Sequence, residues 1–276
     1  MRDFTFLKKL AFSMILSVIL VASTHGDDAY MPKSGNEMGA HSNRFVQMLK
    51  EHIQITAYNT HLHAVCDFIF FNHGAATQLK MGFPDYCDPG DDQNQVPFNY
   101  HDLYNFHSWV DGRKQAIQLV RNPREPWDSF WFEKEVRFRK DEEIWVRDSY
   151  NMPIGLQDTA WNIRGGKYAQ WTCHNLLYVI HTGSTWLGNI KNAEIDVKFS
   201  CPNVSKPFLL HRGELDFGSS NPDGSSKFPP NSHDVWYSWN GFVDQSGNTL
   251  IFTKRNFKPT EKDDLLVSFE FPASKS

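Results

Sequence analysis

Over residues 190–200 the chain reads IKNAEIDVKFS, and its side chains alternate without a break. Ala193, Ile195, Val197 and Phe199 fall on one side; Glu194, Asp196 and Lys198 fall on the other. Successive side chains of an extended chain point to opposite faces, so this is a strand with one dry face and one wet face. The same period returns in EHIQITA, where Ile53, Ile55 and Ala57 oppose His52, Gln54 and Thr56. It returns again in the pairs Val136/Phe138 and Ile144/Val146, and in Leu265, Val267, Phe269 and Phe271. No segment holds a 3.6-residue period. Aromatic residues make up 14% of the chain, and such wide side chains suit sheets better than helices. Short alternating runs separated by turn signals predict an all-β chain: an antiparallel β-sandwich of about a dozen short strands with long surface loops.

The first residues bear on the compartment. Arg2, Lys8 and Lys9 precede an apolar run over residues 10–22, and the small and polar residues STHGDD follow. That order is the pattern of a secretory signal peptide, expected here over residues 1–26 with cleavage after Gly26. The run falls short of the roughly 20 apolar residues that span a bilayer, so no integral membrane segment is expected after cleavage. Residues 27–44 read as a flexible lead-in. A single β-sandwich domain is expected over 45–272, with a subdomain junction near the Gly-, Pro- and Ser-rich stretch 202–232. The expected localisation is secreted or periplasmic. Losing residues 1–26 moves the net charge from −4 to −6. This argues against nucleic-acid binding, which rests on clustered Lys and Arg.

Cys66, Cys87, Cys173 and Cys201 are an even set in a chain expected to be exported, so disulfides are the expectation. Four cysteines allow three pairings. Asn72-His73-Gly74-Ala75 reads as a hairpin turn and brings Cys66 toward Cys87. The loop STWLGNI brings Cys173 toward Cys201 in the same way. Each bridge would clamp the open end of a hairpin and stabilise it by about 3 kcal/mol in the chain-entropy model. Pro84, which lacks an amide hydrogen, is expected to end the second strand of the first hairpin. Asp111-Gly112 marks another hairpin. Long loops are expected at 88–102 and 151–172, the second ending in Gly165-Gly166.

The order of motifs carries a resemblance. EHIQI, FIFFNHGAATQLKMGFP, HSWVDG, VRFRKDEEIWVRDSY, YVIHTGSTWLGNIKNAEIDVKF and NFKPTEKDDLLVSFEF follow one another across residues 50–271. That succession resembles a domain-of-unknown-function family of exported, β-rich bacterial proteins. The resemblance implies a secreted β-rich protein without an assigned activity, and it supplies no catalytic residues.

The chemistry-bearing residues read mostly as scaffold. His61 and His63 share a strand face, and His101 or His107 would have to join them to hold a metal; solvated histidines are the simpler reading, and no metal is assigned. Asp141-Glu142-Glu143 reads as a charged turn, and Glu133 and Glu135 are expected to face water. Ser184 lies in a loop without a nucleophile elbow, and Trp186 is expected to fold over the sheet edge as a plug. Trp236 and Ser238 alternate with Val235, Tyr237 and Trp239. One set would be less buried and could stack on a sugar, but a large aromatic core is the simpler reading. Asn203-Val204-Ser205 matches the N-glycosylation acceptor pattern. No catalytic residue and no cofactor is expected. The sequence therefore points to a non-catalytic exported protein with a binding or structural role at the cell envelope or outside the cell, its partner a protein or a glycan. The alternative is a secreted polysaccharide-acting hydrolase with its site in the two long loops.

Overall fold

Alternation on this scale needs two sheets to share one interior, and a computed structural model has that form. It describes residues 24–26, 29–31, 43–86, 103–122, 129–163, 167–201, 208–213 and 233–272. In chain order the strands begin with β1 (Thr24–Gly26), β2 (Ala29–Met31), β3 (Val46–Ala57), β4 (His61–Asn72), β5 (Thr77–Tyr86) and β6 (Tyr104–Val110). Next come β7 (Arg113–Lys114), β8 (Gln118–Asn122), β9 (Ser129–Phe138), β10 (Glu143–Pro153), β11 (Gly155–Ile163) and β12 (Lys167–Val179). Last are β13 (Ile190–Phe199), β14 (Leu209–Arg212), β15 (Asp234–Ser238), β16 (Phe242–Ser246), β17 (Thr249–Phe257) and β18 (Leu265–Pro272). Single 3₁₀ turns lie at His181–Thr185 and Glu261–Asp263.

The first sheet has the order β14-β15-β18-β12-β1-β5-β9-β8, with β11 also on β12 and β2 also on β5. The second has the order β16-β17-β13-β3-β4-β10-β6-β7. The all-β expectation holds. The purely antiparallel one does not, because β1 with β12, β3 with β13 and β14 with β15 run parallel. The cause is how the chain travels. It changes sheets repeatedly, for example between β4 and β5, β9 and β10, β12 and β13, and β17 and β18. A chain that leaves a sheet and later returns can rejoin an old neighbour in either direction.

This also corrects the two predicted cysteine-clamped hairpins. β4 pairs with β3 and β10, and β5 pairs with β9, so the Asn72–Ala75 turn leads from one sheet to the other. The same holds for β12 and β13. The Asp111-Gly112 hairpin does form, with both residues at positive φ, where glycine avoids the steric cost of a Cβ. The predicted loop at 151–172 is instead the end of β10, all of β11 and the start of β12, with Gly165-Gly166 outside the described residues. Pro84 does not end β5, which runs on to Tyr86. On the edge of β5 away from β9, β2 meets residues 80–82 and β1 meets Asp85 and Tyr86. Pro84 thus falls in the interval between β1 and β2.

The core is built from the predicted inner rows. Ile53, Cys66, Phe68, Phe70, Val197 and Phe252 from the second sheet meet Met81, Phe83, Leu176, Tyr178, Val267 and Phe269 from the first. Each large apolar side chain buried this way contributes about 1.5–3 kcal/mol. Two sheet crossings are tied by one side chain. Asn72 is fully buried; its Nδ2 donates to the carbonyls of Ala75 and Arg139, and its Oδ1 accepts from the Gly74 amide. Trp186 closes the sandwich where β12 passes to β13. It is 2% exposed, with its ring 4.7 Å from that of Phe70. The predicted plug is thus an interior one. Among the described residues, one buried contact between the sheets is an ion pair. Lys134 on β9 reaches across to Asp148 on β10 with Nζ–O distances of 2.6 and 2.8 Å, and both side chains are fully buried.

Candidate binding site

The outer face of the first sheet carries a ladder of opposite charges. On β5 the core takes Leu79, Met81 and Phe83, which turns Gln78 and Lys80 outward. On β9 the core takes Phe132, Lys134 and Val136, which turns Glu133 and Glu135 outward. Lys80 Nζ lies 3.0 Å from Glu133 Oε2. Gln78 Nε2 donates to Glu135 and accepts through Oε1 from Arg137 Nε at 3.2 Å. Residues 115–118 carry the chain from β7 in the second sheet to β8 in the first, and they stand above this ladder. A cleft of about 400 Å³ lies between them, lined by Lys80, Gln115, Ile117, Glu133 and Glu135 among others.

The cleft offers an ammonium, two carboxylates and carboxamides within one concavity. Glu133 was expected to face water, but it is only 8% exposed, because the 115–118 crossover lies over it. Glu135 is exposed, as expected. Sequence reasoning missed the cleft because its wall and floor belong to strands that meet only through the sheet order. The alternation of charge in EKEVR was the one signal available.

The other candidate residues sit elsewhere. His61 and His63 lie half-buried on the outer face of the second sheet. His61 stacks on Tyr58 with ring centroids 4.6 Å apart, and His63 Nδ1 is 2.8 Å from Asn151 Oδ1. His107 lies on β6, edge-on to Trp109, and His101 is outside the described residues. A different group has metal-like spacing: His52, Glu194 and Asp196 bring ligand atoms within 4.8 Å of one another. It sits partly open on the outer face of the second sheet, with His52 Nε2 3.1 Å from Asp196 and 3.6 Å from Glu194, an ordinary surface polar cluster. Nearby on the same sheet, Asp67 holds Arg147 through two 2.8 Å bonds and takes a third from Trp145 Nε1. The hydrogen bond to Asp67 raises the Arg147 pKa, with burial opposing it.

Asp141-Glu142-Glu143 forms the expected charged turn, with Asp141 at φ 54°. Ser184 lies in the 3₁₀ turn after β12. Trp239 and Val235 are buried, Tyr237 packs against the core, and Trp236 stacks on His211 with centroids 4.6 Å apart. Among the described residues this is core and partly covered rim rather than a bare ring platform. Gly241 lets β15 pass to β16: a Cβ there would lie 2.4 Å from Trp239 Nε1 and 2.5 Å from the Thr253 carbonyl.

Cys173 and Cys201 are free, buried thiols and do not form the predicted bridge. Leu176 and Tyr178 of β12 point into the core, so Cys173 points to the outer face of its sheet, whereas Cys201 belongs to the core. Cys66 lies in the core within 3.9 Å of the Tyr178 hydroxyl. Its predicted partner Cys87, like Asn203, lies outside the described residues. Burial pushes the Cys201 thiol up to about 11. Burial first, and the Glu270 carboxylate second, push Cys173 above the ordinary thiol range, with the Asn175 hydrogen bond opposing. Both then stay protonated at pH 8 and react slowly. Iodoacetamide at pH 8, read by peptide mass mapping, is expected to label Cys173 and Cys201 only after urea is added. Labelling in the native state within minutes contradicts this burial.

No family model and no curated protein matches the sequence. Among solved structures, the chain is similar to a candidate nutrient binding protein from Legionella pneumophila subsp. pneumophila strain Philadelphia 1. The TM-score is 0.56 and the identity 16%, over 90% of this chain and 71% of that one. It also aligns with the M1 zinc metallopeptidase of Deinococcus radiodurans (TM-score 0.37, 10% identity, 83% of this chain and 43% of that chain). A third alignment is with yeast LTA4 hydrolase in complex with bestatin (TM-score 0.41, 12% identity, 86% and 31%). This chain spans less than half the length of either enzyme. Likeness at such identity is likeness of fold, and at the enzymes' TM-scores it carries no functional argument.

Proposed function

We propose that the protein is an exported, non-catalytic β-sandwich binding protein acting at the cell envelope or outside the cell, in keeping with the exported family it resembles. Its ligand is a small polar molecule seated in the cleft over β5 and β9. The observation that carries this reading is the cleft itself, walled by the 115–118 crossover and floored by Lys80, Glu133 and Glu135. A concavity of this size with a few fixed polar groups suits a compact ligand. Charges of both signs favour one carrying both an amine and an acid, such as an amino acid or a short peptide. The fold-level likeness to a candidate nutrient binding protein supports a small ligand over a glycan chain or a protein. Glu133 is paired to Lys80 and Glu135 to Gln78, so the two carboxylates are engaged with neighbours rather than opposed across a scissile bond.

Titration calorimetry against amino acids, dipeptides and simple sugars tests the proposal. The expected result is saturable binding of a zwitterionic ligand, weakened at least tenfold by Lys80→Ala and by Glu133→Gln, about 1.4 kcal/mol or more each. Binding that both substitutions leave unchanged, or release of reducing ends from polysaccharide, overturns it.

A further inference from the structure

The first sheet is two half-sheets joined by the amino-terminal segment. One half is β14-β15-β18-β12 with β11; the other is β5-β9-β8. Among the described residues, β1 is the strand that pairs with both. It runs parallel to β12, with Thr24 opposite Leu177, His25 opposite Tyr178 and Gly26 opposite Val179. It runs antiparallel to β5, with Thr24 opposite Tyr86 and His25 opposite Asp85. β2 continues along the same edge of β5, with Ala29 opposite Gly82 and Met31 opposite Lys80. β1 and β2 therefore follow β5 one after the other. The register shifts by one between them, at the interval that contains Pro84.

A strand at that position cannot be shed without cost. Without it, β5 and β12 face each other as two open edges in the middle of a sheet. Their inward neighbours are fully or nearly fully buried: Met81 and Asp85 on β5, and Leu176 and Tyr178 on β12. Backbone amides and carbonyls beside such residues need a partner, and leaving them without one is unfavourable. An open edge also invites pairing with another chain.

Cleavage after Gly26 would remove β1 and leave β2 as the new terminus. The sequence holds a second cleavage pattern just upstream. Val21 and Ser23 stand in the two positions where a leader peptidase reads compact side chains, and a cut after Ser23 leaves Thr24 first. We propose that the leader ends at Ser23, and that β1 and β2 are the strands with which the mature chain closes its own first sheet. The leader step rests on the export reading above; the strand step does not.

Mass analysis of the amino-terminal peptide of the protein recovered from its own cell envelope or medium tests the first step. The expected first residue is Thr24. A first residue of Asp27 or later overturns the inference and leaves export standing. An uncleaved chain overturns the leader step and the export reading together. The second step is tested on two chains beginning at Thr24 and at Asp27. The shorter is expected to melt lower by about 2–4 °C or more, since roughly that shift accompanies each small loss of stability in a domain of this size. Equal melting temperatures overturn the strand assignment. If the shorter chain does not fold, hydrogen exchange on the longer one decides. Slow exchange in the peptide spanning residues 24–31 supports the assignment, and exchange at the rate of an unfolded peptide overturns it.

Discussion

Replacing Asp148 with alanine is expected to destabilise the protein by about 3–5 kcal/mol. Lys134 and Asp148 are both fully buried and hold each other through two contacts below 3 Å. They come from different sheets, so no backbone pairing would hold the Lys134 ammonium in place once its carboxylate is gone. Around them lie Met81, opposite Lys134, and Cys66, opposite Asp148. Neither side chain supplies a charge to replace the lost carboxylate. The position across from Asp148 on the other side is Ser108, whose Oγ is buried and has no hydrogen-bond partner among the described residues. A different outcome is expected when both charges go. Lys134→Met with Asp148→Leu replaces a desolvated pair by apolar volume, a change that is often neutral or stabilising. Urea denaturation of the two single variants and the double variant measures this. Single losses below about 1 kcal/mol would mean that the pair is solvated and the core less dry than described.

Trp186→Ala is expected to cost a similar amount, about 3–5 kcal/mol. The indole is 2% exposed against Phe70, and Phe70 meets Phe138 in turn with centroids 6.5 Å apart. Its backbone carbonyl accepts from Lys258 Nζ at 2.6 Å, so the segment is fixed while the ring is deleted. A cavity therefore remains instead of collapsing. Thermal unfolding read through near-ultraviolet circular dichroism follows it directly, because the ring is itself a reporter. A loss under 1 kcal/mol would show that neighbouring rings relax into the gap.

The inner rows of this sandwich could be read from the chain almost residue by residue. Ala193, Ile195, Val197 and Phe199 are all within 3% exposure, as a strict two-residue period requires. What the period does not encode is which sheet a strand joins. A turn such as Asn72–Ala75 can fold its strands back as a hairpin or lead from one sheet to the other, and the local residues are the same in both cases. The choice was made by Asn72, whose bonds reach Arg139, 67 residues away. Cys173 and Cys201 stay apart for that reason: they flank a sheet crossing, with Cys173 on the outer face of the first sheet and Cys201 in the core. The cleft was out of reach on the same ground. Glu133, Lys80 and Gln115 converge through sheet order, whereas the acid–base alternation on β9 alone reads as a solvated face.

The parallel contact between β3 and β13 has a bearing on how the chain comes to be folded. His52 and Asp196, which meet across it, are 144 positions apart. The β3–β13 pairing therefore cannot form until residues 192–199 are available, however early the β3–β4 hairpin forms. Long-range pairing of this kind slows folding, because chain closure must be completed before the contacts repay it. Until then the edge of β3 that β13 covers stays open, although β4, β10 and β6 can already pair beside it.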